Sequence, residues 1–186
     1  MEAYVMDAFS TRVFGGNQAG VALPERELPD GVMQQVAAEF KHSETAFVRV
    51  EGDGSVTLRY FTPAGEVELC GHATVASFAL LRQLGRIGDG DVTAHTRAGE
   101  LSVTVQGGTV WMDMAKPRLL RELGEDEWDA FYEAYGLTAA DRPEGLTPAI
   151  VSTGLADVML PVRDHDTLMQ AVQNEAAVTA LSKQYD

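Results

Sequence analysis

The stretch Glu66-Val-Glu-Leu-Cys-Gly-His-Ala-Thr-Val-Ala-Ser-Phe-Ala-Leu-Leu81 constrains the fold more than any other part of the chain. It opens as a strand, turns at Gly71 and continues as a helix to about Gly85. That helix has no polar face: Ala73, Val75, Ala76, Phe78, Ala79, Leu80, Leu81 and Leu84 cover nearly every side. Such a helix must be buried, and its small residues Ala73, Ala76, Ser77 and Ala79 let neighbouring backbone approach closely. Its N-terminus crowds Cys70, His72 and the unpaired first-turn N–H groups together, where the helix dipole favours negative charge. An end of this kind can hold a carboxylate or a developing enolate without a metal.

The rest of the chain supplies layers to cover that helix. Strands are predicted at Ala3–Phe9, Gly20–Leu23, Thr45–Val50, Val56–Phe61, Val67–Cys70, Val92–His95, Leu101–Val105 and Val110–Met114. The alternation of Leu101-Ser-Val-Thr-Val105 leaves one face wet, and Gln106-Gly-Gly108 turns it into a hairpin. A helix over Pro29–Phe40 takes Asp30 as its N-cap. About eight strands and two helices in no regular βαβ order make this region α+β. Lys116-Pro-Arg118 breaks the pattern. An acidic helix is expected over Glu125–Tyr135, and Thr138–Pro148 reads as a connector. Ala149–Gly154, Asp157–Val162 and a helix over Asp164–Lys183 then echo the opening order of strand, glycine turn, strand and helix. The expected divisions are therefore 1–115, 116–148 and 149–186, the last being the incomplete start of a second, similar half.

With 186 residues, 45% of them hydrophobic and 23% charged, a sizeable core is affordable. The formal net charge is −14, with acids spread through both parts. Polyanionic partners would be repelled, so neither nucleic acid nor an anionic membrane is expected as a partner. No apolar run approaches the roughly 20 residues that span a bilayer. The opening Met-Glu-Ala-Tyr-Val-Met-Asp lacks a basic signal-like start, which reads as cytoplasmic. A single cysteine excludes an internal disulfide.

Three constellations carry possible chemistry. Glu44, in His42-Ser-Glu-Thr-Ala-Phe-Val48, stands between a helix and a strand; spacing alone leaves it a solvated junction residue or a general base. In Cys70-Gly-His-Ala-Thr74 the thiol is either an inert buried group or one activated by the helix end, and His72 either caps the helix or relays a proton. A Cys–His dyad is disfavoured, because side chains two apart on a helix do not face each other. A zinc site is not expected, since Cys70, His72 and His42 give too few ligands at no familiar spacing. Asn17, in Gly15-Gly-Asn-Gln-Ala-Gly20, could hold a substrate carboxylate, or the segment is only a hairpin connection.

Taken in order, Asp7-Ala-Phe9, Gly16-Asn17, Ser43-Glu-Thr-Ala-Phe47, Arg59-Tyr-Phe-Thr-Pro63 and Glu66 to Thr74 closely resemble the N-terminal half of the PhzF-like family, named after the phenazine-biosynthesis isomerase and related to diaminopimelate epimerase. The resemblance covers residues 1–115 strongly and continues through Val151-Ser-Thr-Gly154. It implies two similar halves, each a curved mixed sheet wrapped round a central helix, here Val75–Leu84. It implies an isomerase or epimerase that moves a proton on a small carboxylate-bearing substrate with no cofactor and no metal. By the motif Glu44 is the catalytic acid/base and His72 its catalytic companion. Asn17, Ser43, Gly71, Ala73 and Thr74 form the substrate-binding set. Cys70 matches one of two thiols kept by the related epimerases and is a secondary candidate. The chain departs from the family at Gln18, where a proline is usual, and lacks the far half's acidic Glu-Asp-Pro-x-Thr-Gly motif. A homo-oligomer is expected, and the alternative is a non-catalytic small-acid-binding or assembly module that keeps half of a site.

Overall fold

The computed structural model describes residues 1–12 and 14–185, which form two units, Met1–Asp113 and Met114–Asp186. The first contains β1 (Glu2–Ala8), β2 (Asn17–Leu23), α1 (Asp30–Phe40), β3 (Thr45–Val50), β4 (Val56–Phe61), β5 (Glu66–Val67), α2 (Gly71–Gln83), β6 (Gly90–Thr96), β7 (Gly99–Gln106) and β8 (Thr109–Met112). Seven of these strands run in the order β1-β2-β3-β4-β6-β7-β8, and β5 adds to β4. The sheet is mixed: β2–β3 and β4–β6 are parallel, the other pairs antiparallel.

The helix α2 packs against β1, β2 and β3 and also against β7 and β8. It therefore touches strands from both ends of the sheet order, which requires the sheet to curl round it. This is the curved mixed sheet about a central helix, within an α+β fold. Ala73, Ala76, Phe78, Leu80 and Leu81 of α2 are buried in one core with Val21, Val48, Leu58, Tyr60 and Val103. On the sheet's other face α1 buries Met33 and Ala37 against Ala22, Phe47 and Phe61. The rings of Phe47 and Phe61 meet edge to face at 5.6 Å, a favoured aromatic geometry.

Local chemistry explains where elements begin and end. The two-residue loop Gly107–Gly108 has φ 57° and 85°, the double positive φ that a tight hairpin of this twist demands. Gly20 permits the parallel β2–β3 contact, because a Cβ there would lie 2.8 Å from Thr45 Oγ1. The α1 cap differs from expectation. Pro29, in extended conformation, is the N-cap, with no side-chain cap bond. Asp30 is instead drawn into an ion pair with Arg59 at 2.7 Å. The strand β5 stops at Val67, earlier than the predicted Cys70, because the chain leaves the sheet to enter α2.

The second unit contains β9 (Arg118–Glu122), α3 (Glu125–Glu133), a 3-10 turn (Ala139–Asp141), β10 (Ala149–Ser152), β11 (Ala156–Met159), α4 (His165–Gln170) and α5 (Glu175–Tyr185). Its antiparallel sheet has the order β11-β10-β9, with an irregularity between Ile150 and Val151. The sequence reading missed β9, whose residues are all exposed and lack alternation. It also ran α4 and α5 together as one helix over Asp164–Lys183. The structure breaks that helix at Ala171–Asn174, because Val172 and Asn174 donate their N–H groups to the carbonyls of Tyr135 and Ala134. Asn174 then restarts the helix by accepting from the N–H of Ala177 at 3.2 Å. Among the described residues, no helix is long and apolar enough to cross a membrane.

Candidate active site

Glu44 immediately precedes β3, and its direction follows from strand alternation. Phe47 faces α1, whereas Ala46 and Val48 face α2, so a carboxylate two residues before Ala46 projects to the α2 side. Gly20 fixes this junction by donating its N–H to the Glu44 carbonyl at 3.0 Å. Tyr60 lies directly opposite Ala46 in the β3–β4 register and faces the same way. Its buried hydroxyl meets Thr74 Oγ1 at 2.6 Å, and Thr74 in turn donates to the Cys70 carbonyl at 2.7 Å. These bonds tie the start of α2 to the strand beside Glu44.

The result is a compact cluster. His72 Nε2 lies 3.4 Å from Glu44 Oε2, and His72 Nδ1 lies 3.3 Å from Cys70 Sγ. The imidazole thus bridges a carboxylate and a thiol; contrary to the expectation for side chains two apart on a helix, Cys70 reaches His72 because it is the extended N-cap of α2 and not a helical residue. Both of its neighbours are half-buried or buried, yet Glu44 keeps 23% of its side chain exposed and His72 12%. Such a group can exchange protons with a ligand while sheltered from bulk water.

The thiol does not behave as a helix end alone would make it. Burial pushes Cys70 up to about 12, and the Glu44 carboxylate adds to the rise; the N–H groups of Ala73 and His72 aimed at the sulfur only partly oppose it. Cys70 is therefore a neutral thiol near pH 7, since desolvation outweighs the dipole here.

The other sequence candidates fall into two groups. Gly71 and the first-turn amides stand at the open end of α2, where a Cβ on Gly71 would meet only Met112 Cε at 3.5 Å. Ala73 and Thr74 are fully buried, so Ala73 can offer only its N–H, and the Thr74 hydroxyl is already bonded on two sides. Ser43 and Asn17 are exposed. Asn17 pairs with Ala8 at the start of β2, in a loop where Gly16 is required because a Cβ would fall 2.3 Å from the Ala8 carbonyl oxygen. The sequence reading missed Tyr60 and its bond to Thr74. The signal was available: a tyrosine alternating onto the core face of a strand needs a buried partner for its hydroxyl. Arg59 holds Glu66 through two bonds of 2.7 and 2.8 Å.

The model of the family described as phenazine biosynthesis-like protein matches residues 6–185. The uncharacterized isomerase YddE of Escherichia coli O157:H7 is 35% identical over 98% of this chain and 63% of its own length. The chain thus spans less than two thirds of that relative. The crystal structure of a PhzF-family phenazine biosynthesis protein from Bacillus anthracis superposes with a TM-score of 0.81 at 29% identity, covering 94% of this chain and 60% of that one. A predicted epimerase from Pseudomonas aeruginosa gives the same TM-score and identity over 97% of this chain and 66% of its own.

Proposed function

Because the chain belongs to the phenazine biosynthesis-like protein family, we propose that it contributes the base-bearing half of an isomerase or epimerase site. Glu44 takes a proton from a carbon next to a carboxylate or carbonyl group and returns it to the same or a neighbouring carbon. The N–H of Gly71, at the positive end of the α2 dipole, receives the negative charge that develops on the substrate oxygen. His72 orients the Glu44 carboxylate and passes protons between it and the substrate. Asn17 and Ser43, exposed at the same end of the sheet, hold the substrate's carboxylate. The reaction needs no cofactor. The working molecule is a homo-oligomer of the cytoplasm that acts in small-molecule biosynthesis.

One observation carries this reading: Glu44 Oε2 and His72 Nε2 stand 3.4 Å apart at the N-terminus of a buried helix. A solvated junction glutamate would have no reason to face that helix end. The relatives support it by name, as isomerases and a predicted epimerase. The test is solvent-deuterium incorporation at the substrate carbon, followed by NMR over a panel of amino and hydroxy acids. Exchange is expected with the parent chain, or with the chain extended to the full length of its relatives. Glu44→Gln is expected to lower it by at least about 100-fold, the lower range for loss of a general base. Undiminished exchange in Glu44→Gln removes the assignment. Binding without exchange in either chain favours the small-acid-binding module instead.

A further inference from the structure

Three donors of different chemistry converge at the mouth of α2. A carboxylate oxygen of Glu44, the Cys70 sulfur and a ring nitrogen of His72 all lie within 4.8 Å of one another. Through Nε2, the separations are 3.4 Å to Glu44 Oε2 and 4.0 Å to Cys70 Sγ. Bonds of about 2.0–2.3 Å from a tetrahedral zinc ion to N, O and S donors put neighbouring donors roughly 3.3–3.6 Å apart. The first separation already falls in that range and the second lies within about half an ångström of it; Glu44 and Cys70, within 4.8 Å of each other, close on an ion by rotation of their side chains. The sequence reading counted His42 as the third ligand and found the set wanting. In the fold His42 turns to Phe40, with ring centroids 6.3 Å apart, and Glu44 takes the third place.

We propose that Glu44, Cys70 and His72 form a binding site for a divalent transition-metal ion of borderline softness, Zn2+ or Co2+, and that occupancy blocks proton transfer. The donor set selects the ion. Thiolate and imidazole disfavour Ca2+ and Mg2+, which take oxygen ligands, and suit Zn2+ and Co2+. Three protein ligands leave a fourth position for water. The charges balance, because a carboxylate and a thiolate neutralise a dication, so the half-buried complex carries little net charge to desolvate. The amides of Ala73 and His72 that point at the Cys70 sulfur steady the metal-bound thiolate. A net charge of −14 draws cations to the molecule. On binding, the Cys70 S–H bond breaks, its proton passes to the buffer and a metal–sulfur bond forms; no electron is transferred. Metal binding stands on the donor geometry alone, and only the blocking of proton transfer rests on the isomerase reading.

Titration of the 186-residue chain with Co2+ tests the site. The expected result is a thiolate-to-cobalt charge-transfer band that saturates at one ion per chain, releases one proton, and disappears when Zn2+ is added. Cys70→Ala and Cys70→Ser should both lack the band, with folding checked by circular dichroism. Glu44→Gln should bind Co2+ more weakly by at least about tenfold, the lower range for loss of even an outer-sphere partner, and His42→Asn should bind as the parent does. A parent chain without the band, a band that survives in Cys70→Ser, or an equal loss in His42→Asn overturns the proposal. Where exchange is measurable, Zn2+ should abolish it and a chelator restore it; exchange that persists at saturating Zn2+ overturns the blocking role. A chain that binds Co2+ but never exchanges sinks the isomerase reading and leaves the site standing.

Discussion

Cys70 sits where two physical effects oppose each other, and burial wins. The folded chain keeps the thiol proton after the unfolded chain has lost it. Stability contributed by the neutral thiol is therefore complete below its ordinary value of 9.0 and falls as pH rises toward about 12. Burial raises Tyr60 too, so both groups act in the same direction. The urea midpoint should drop between pH ~9 and ~11, and less so in Cys70→Ala. Near neutral pH that variant should lose only about 1 kcal/mol, little for a core truncation, and keep most of its exchange activity. A loss of two orders of magnitude would make the thiol an epimerase-like base. Two glycines separate structure from function at the same scale. Gly16→Ala forces a Cβ to within 2.3 Å of the Ala8 carbonyl and should cost about 1–3 kcal/mol through backbone displacement. Gly71→Ala meets only a methyl group at contact distance, so its urea midpoint should hold. Its exchange rate should fall, because the added methyl group crowds a substrate oxygen held by the N–H of residue 71.

Helix ends show which local signals are readable. Lys41 closes α1 at φ 58°, and its N–H bonds to the Ala37 carbonyl. Glycine accepts that conformation freely, so Lys41→Gly should raise stability by about 1 kcal/mol in chemical denaturation. Asn174→Ala, which removes the cap of α5, should lower it by a similar ~1 kcal/mol. The buried helix α2 was legible because no polar stripe interrupts Ala73–Leu84, and the β7–β8 hairpin because Gly107–Gly108 supplies without strain the two positive φ values of a two-residue turn. The start of α1 was misread, because Asp30 can cap or pair and only the fold supplies Arg59. The break between α4 and α5 was invisible because its cause, the carbonyls of Ala134 and Tyr135, lies well upstream. For the same reason the motif singled out Glu44 and His72 separately, while their 3.4 Å approach depends on the β3–β4 register and the Tyr60–Thr74 bond.

At the scale of the molecule, the two units differ in how they use their apolar residues. In Met1–Asp113 the sheet encloses α2. In Met114–Asp186 Leu119, Met169 and Val172 are 60%, 70% and 72% exposed, more apolar surface than a short three-stranded sheet and its helices cover. Self-association of the 186-residue chain is the expected outcome, read by sedimentation velocity over a range of concentrations. A monomer at all of them removes the expectation. A chain extended to the length of its relatives should turn over substrate faster, because further surface can exclude water from the site. The curl of the sheet also sets a clock. Since α2 is flanked by β1 and by β8, its burial waits for a strand that ends at Met112. At synthesis rates of about 5–20 residues per second, adding the 42 residues that separate Cys70 from Met112 takes roughly 2–8 s. Throughout that interval the molecule's one thiol is open to oxidants and alkylating reagents that the finished fold shuts out. A reagent pulse during translation would mark Cys70 in chains still being built and largely spare those already folded, so labelling at this one residue dates the protein's assembly.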